Sequence, residues 1–106
     1  NNDNQDVNKN VRSVLTLATN PITSVAAGSK ILEITTPGIH GAIPGQYVTI
    51  SNVNASIDGI GASEINKTHV VSSVPSTTAF RITVLSNASN GSVSGGGADI
   101  VITFQN

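Results

Sequence analysis

The sequence contains no cysteine, no methionine and no tryptophan, and its aromatic residues are one tyrosine and two phenylalanines in 106 positions. Without cysteine there is neither a disulfide frame nor a thiolate metal site, and the redox compartment stays open. Charge is equally sparse: five Lys and Arg against six Asp and Glu leave a net charge of −1. There is no basic stripe for a phosphate backbone and no polybasic patch for an anionic membrane, so neither nucleic acid nor membrane is expected as a partner. No apolar run approaches the roughly 20 residues that a membrane-crossing helix needs. The opening NNDNQDVNKN is the opposite of a signal peptide's apolar core. With no initiator methionine, the sequence is expected to be a piece or a processed form of a longer chain.

What is present is Val, Ile and Ala set among Ser, Thr, Asn and Gly. The length allows one domain and no second core. Each buried Val or Ile contributes about 1.5–3 kcal/mol, against about 1–2 kcal/mol of backbone entropy per residue fixed. A core of such small side chains folds with little margin, which favours support from neighbouring subunits or domains.

Residues 1–10 are Asn-rich and unpatterned, an arm or linker, and a single domain is expected over 11–106. VRSVLTL and ITSVAA (22–27) flank the turn formers Asn20 and Pro21, and KILEITT puts Leu32 and Ile34 on one face. PGIHGAIPGQYVTISNV (37–53) crowds Gly and Pro around His40, then alternates, with Val48 and Ile50 facing the core. Residues 54–67 read as a long connection with at most one helical turn at 62–65. THVVSSV (68–74) and AFRITVL (79–85) read as a hairpin with a four-residue connection. SNASNGSVSGGG (86–97) reads as a low-complexity loop, and ADIVITF (98–104) closes the domain. The expectation is all-β: a small sandwich or barrel of about seven short antiparallel strands and no substantial helix.

Chemistry is hard to find. His40 and His69 stand in different elements with no carboxylate within four residues of either, whereas a zinc site needs three or four converging ligands. Asp58-Gly59 with Glu64 supplies too few oxygens for a calcium loop and reads as a turn residue and a solvated charge. The nucleophile elbow, the dinucleotide fingerprint and the phosphate loop are missing. N-x-S/T sequons begin at Asn54, Asn66, Asn87 and Asn90, as expected from composition. No enzyme, cofactor or metal is therefore expected. Gly38, Gly41, Pro44 and Gly45 read as the turn that launches a strand. An alanine at position 40 is expected to cost little beyond local hydrogen bonding.

The order His40-Gly41, then PGQYVTIS (44–51), a Gly/Ile loop, EINKTHVV (64–71), a Ser-Thr-Thr turn at 76–78 and Gly95-Gly96-Gly97 resembles a β-module of tail and head-completion proteins of tailed bacteriophages. The likeness covers roughly residues 30–106 and departs from the pattern at Gln46, Asn52 and Lys67. It implies a non-enzymatic virion protein of a tail, nozzle or fibre, partnered by copies of itself and by other virion proteins. The alternatives are a host-surface or carbohydrate-binding adhesion module, with His40, Tyr47, Asn54 and Asn87 as contact residues, a capsid decoration (cement) protein, or a bacterial adhesin domain.

Overall fold

β-branched residues alternating with small polar ones place one side chain in two towards a core, and the chain uses this pattern to build two facing sheets. The computed structural model describes residues 13–105. The expected arm, and the boundary at residue 11, lie outside the described residues. Strands β1 (Ser13–Thr16), β4 (Tyr47–Ser51), β5 (Thr68–Val70) and β9 (Val101–Gln105) form one sheet in the order β1-β9-β4-β5. Strands β2 (Ile22–Ser24), β3 (Ile31–Thr35), β6 (Ser73–Ser76), β7 (Ala79–Thr83) and β8 (Ser94–Gly95) form the other, in the order β6-β7-β3-β2-β8. Every pairing is antiparallel, and the two sheets do not close into a barrel. The single turn of helix α1 (Ala62–Ile65) stands where the sequence allowed one.

Ile22, Leu32, Ile34, Phe80 and Ile82 from one sheet meet Val48, Ile50, Ile102 and Phe104 from the other, all buried. The two phenylalanine rings touch edge to face, 5.3 Å between centroids, at the centre of this layer. Ile57, Ile60, Ile65 and Ile100 close the core from the connections.

Nine strands replace the expected seven, for two reasons. The run 68–74 is not one strand: Val71 exchanges hydrogen bonds with the start of β4 (to Gln46 O, and from Gly45 N, each 2.8 Å). The next residue, Ser72, already donates to Arg81 O of β7. The chain thus changes sheet between adjacent residues, with buried Val71 as the pivot. The hairpin that follows has a two-residue connection, Thr77-Thr78, because Pro75 sits inside β6. Proline is tolerated there since β6 is an edge strand, irregular between Ser73 and Ser76. Secondly, the low-complexity segment contains β8, two residues long and paired to β2.

Candidate functional site

The loop of residues 36–46 is built around its histidine. His40 is 8% exposed. Its Nδ1 accepts from the Ala42 N–H (2.9 Å), and Nε2–H donates to the carbonyls of Ser76 (2.9 Å) and Ala79 (3.0 Å). The ring stands edge-on to Phe80, 5.6 Å between centroids. Both ring nitrogens are thus engaged, Nδ1 within the loop and Nε2 in fastening the loop to the β6–β7 hairpin, and a further bond from His40 N to Thr77 O also ties the loop to the hairpin. Gly41 and Gly45 have positive φ (69° and 92°), and Gly38 does not. Ile43, Pro44, Gly45 and Gln46 form a turn closed by Gln46 N to Ile43 O (3.2 Å). Proline at its second position and a left-handed glycine at its third are the requirements of a type II turn. Gln46 reinforces it: Oε1 accepts from Ile43 N, and Nε2 donates to Gln105 O (3.1 Å).

This turn delivers the chain to Tyr47, the one large ring left in solvent, 56% exposed. Tyr47, Ile43, Pro44, Gln46 and Gln105 line an open cleft of about 600 Å³. Tyr47 is also the first residue of a wider surface. Registers across the first sheet align Gln105, Tyr47 and Val70 in one row, and Val14, Thr103, Thr49 and Thr68 in the next. A third row holds Thr16, Val101 and Ser51. No residue of these rows carries a charge. The opposite sheet differs: its central outward row runs Ser94, Thr23, Glu33, Arg81, Ser73, with an Arg81–Glu33 ion pair at 3.0 Å. Of the remaining candidate contact residues, Asn54 is exposed with its side chain against Gly97. Asn87 is exposed on the far loop. The structure therefore does not gather His40, Tyr47, Asn54 and Asn87 into one site.

Asp58 is the turn residue that the sequence suggests, with Gly59 between the paired Ile57 and Ile60, and both Asp58 and Glu64 are in addition clamps on the 85–91 segment. Asp58 accepts from Ser24 Oγ (2.8 Å), Gly91 N (2.7 Å), Asn90 N (3.0 Å) and Asn90 Nδ2 (3.3 Å). Glu64 accepts from Ser86 Oγ (2.6 Å), Ser86 N (2.8 Å) and Leu85 N (3.1 Å). Asn66 plays the part of a strand: Oδ1 accepts from Val53 N and Nδ2 donates to Val53 O, both 2.8 Å. The local signal for Asp58 was its Asp-Gly turn; nothing local announced Glu64 or Asn66, whose partners lie 22 and 13 positions away. Among the described residues, no three His, Asp or Glu side chains converge as metal ligands would.

The titration of these groups has one sign. Desolvation raises the Asp58 carboxyl pKa, but donors from Gly91, Ser24 and Asn90 together hold it below the ordinary 3.8. The Ser86 hydroxyl leads in holding Glu64 below its ordinary 4.5, against desolvation. His69 lies below 6.5 because burial disfavours its cation and Lys67 repels it, although the Ile65 carbonyl (2.8 Å from Nε2) favours it. For all three, the unfolded chain binds protons first as pH falls, so acid destabilises the fold. The thermal midpoint is expected to drop in two steps, one beginning near 6.5 from His69 and one near 4 from the carboxylates. Melts recorded from pH 8 to pH 3 test this; an unchanged midpoint across that range would refute it.

Two face-packed antiparallel sheets, with a Gly/Pro loop feeding a central strand, define the chain as a small β-sandwich module. The same fold occurs in phage phi92 endosialidase, with a TM-score of 0.66 at 20% identity over 89% of this chain and 13% of that one. The tailspike protein gp49 from Pseudomonas phage LKA1 aligns over 89% of this chain and 15% of its own, at 24% identity and a TM-score of 0.42. The chain therefore spans a small fraction of either protein's length. No family model matches the sequence, and no curated protein matches it.

Proposed function

We propose that the chain is a non-enzymatic structural module of a tailed-bacteriophage virion, which holds subunits of a tail, nozzle or fibre together through the outer face of β1-β9-β4-β5. The observation that carries this reading is that face itself, Thr/Val-rich and without charge among the described residues of its rows, with Tyr47 and Val70 adjacent at one end. Interface centres are depleted of charge and enriched in tyrosine. A neutral face also suits contact with its own copy, since a charged group lying on the two-fold axis would meet its like. The fold shared with a segment of phi92 endosialidase supports the phage context. The activity in that protein's name belongs to that protein. In this chain His40, Asp58 and Glu64 have their polar atoms engaged in holding loops, which supports a mechanical role.

Thr49→Lys puts a charge mid-face, and Ser73→Lys puts one on the opposite sheet as a control. Sedimentation of the intact protein is expected to show Thr49→Lys weakening self-association at least about tenfold, or about 1.4 kcal/mol, with Ser73→Lys unchanged. Equal association of both variants and the parent would refute the assignment of this face. Tyr47 is the one tyrosine and there is no tryptophan, so intrinsic fluorescence reports this surface directly.

A second reading is favoured by the cleft. An exposed tyrosine ring and hydroxyl in a cleft also lined by Gln105 have the chemistry to stack and hydrogen-bond a neutral glycan. A change in tyrosine fluorescence on adding a neutral oligosaccharide, with calorimetric binding of that sugar lost in Tyr47→Ala, would favour that reading over subunit contact.

A further inference from the structure

The sequence holds one Asn-Gly pair, Asn90-Gly91, and one Asp-Gly pair, Asp58-Gly59. Both are dipeptides in which a following glycine leaves the backbone nitrogen unhindered for attack on the side chain. At Asn90, the Gly91 amide nitrogen loses its proton and attacks Asn90 Cγ. Ammonia leaves, and a five-membered succinimide forms. Water then opens the ring to aspartate or isoaspartate. At Asp58 the Gly59 nitrogen attacks the protonated carboxyl, water leaves, and rehydration gives aspartate or isoaspartate. Neither route needs an oxidant, a metal or an enzyme.

The fold brings these two pairs, 32 positions apart, onto one another. Asp58 Oδ2 accepts from Gly91 N at 2.7 Å, so the nitrogen that would attack is committed to a carboxylate. Removing its proton there would set two negative charges side by side. Asp58 Oδ1 also accepts from Asn90 Nδ2 at 3.3 Å and from Asn90 N at 3.0 Å, which fixes the amide that would leave. Ser89 N donates to Asp58 O at 3.0 Å, so the junction is bonded through main chain as well. The same contacts keep Asp58 ionised, and a carboxylate is a poor electrophile.

We propose that the docking of Asp58-Gly59 on Asn90-Gly91 suppresses succinimide formation at both, and that Asn90 is the deamidation site of this chain whenever the 86–91 loop opens. Conversion is one-way in structural terms. A carboxylate at position 90 loses the Nδ2 donor and faces Asp58 as a like charge, and the isoaspartyl form adds a methylene to the loop backbone. Each prevents re-docking.

The test follows Asn90 by peptide mapping and ammonia release, in the intact folded protein and in the same chain unfolded by guanidinium, at mildly alkaline pH. The folded protein is expected to convert at least about tenfold more slowly, since reaction there requires local opening. Asp58→Ser, confirmed folded by circular dichroism, is expected to approach the unfolded rate. Ser24→Ala removes one donor to Asp58 and is expected to fall between, which keeps the test open if Asp58→Ser does not fold. Equal rates in the folded and unfolded parent, or no acceleration in either folded variant, would overturn the proposal.

Discussion

Replacing His40 with alanine is expected to destabilise the fold by about 2–4 kcal/mol, summing a truncated buried ring and unpaired polar groups. The substitution leaves Ala42 N–H and the carbonyls of Ser76 and Ala79 without their bonds. It also opens a void beside Phe80, against which the ring stands edge-on. From sequence alone the change is expected to cost little beyond local hydrogen bonding, because His40 has no acidic orienter, nucleophile motif or metal partner within sequence reach. Burial reverses that expectation. Equilibrium denaturation measures the loss; a change under about 1 kcal/mol would mean that water replaces all three bonds.

Gly91→Ala is expected to cost about 2–4 kcal/mol, adding left-handed backbone strain to a clash that only main-chain movement relieves. Gly91 has φ of 80°, and an added Cβ would lie 2.8 Å from Ala26 Cα and from Ala27 N. Neither is the end of a flexible side chain, so the 86–91 loop has to lift from the 25–28 segment and release Asp58. Gly45→Ala is the control: its φ is 92° but nothing lies within 4 Å of the added carbon. That change is expected to cost only the backbone term, about 1–2 kcal/mol. Thermal unfolding of the two variants separates strain from collision, and equal losses would contradict the close approach at Gly91.

The alternation in KILEITT and QYVTIS identified the buried faces of β3 and β4, because burial of every second side chain is a period visible over five residues. The turn at Pro44-Gly45 was legible for a similar reason, since proline and a left-handed glycine act locally. The change of sheet at Val71 was not. VVSSV carries one continuous β-propensity, and what divides it is partner choice, Gln46 for Val71 and Arg81 for Ser72. The clamps at Asp58 and Glu64 were equally hidden, since a carboxylate's partners depend on which distant loop the topology brings near. The candidate surface fell between these cases. Tyr47 was singled out from sequence, but the neutral rows around it exist only once β1, β9, β4 and β5 are set side by side.

The pairing of β1 with β9 has a mechanical consequence. Ser13 lies opposite Phe104, so the two ends of the described chain leave from the same side of the module, about 5 Å apart as antiparallel partners are. A longer chain could therefore take in or shed such a module while its flanking segments stay almost in place. The same geometry makes the ends a poor place to hang a load. Tension drawn through them would peel β1 from β9 one bond at a time, as a zipper opens, instead of shearing all the bonds together. A particle that must bear force would do better to transmit it through the broad face of the sheet.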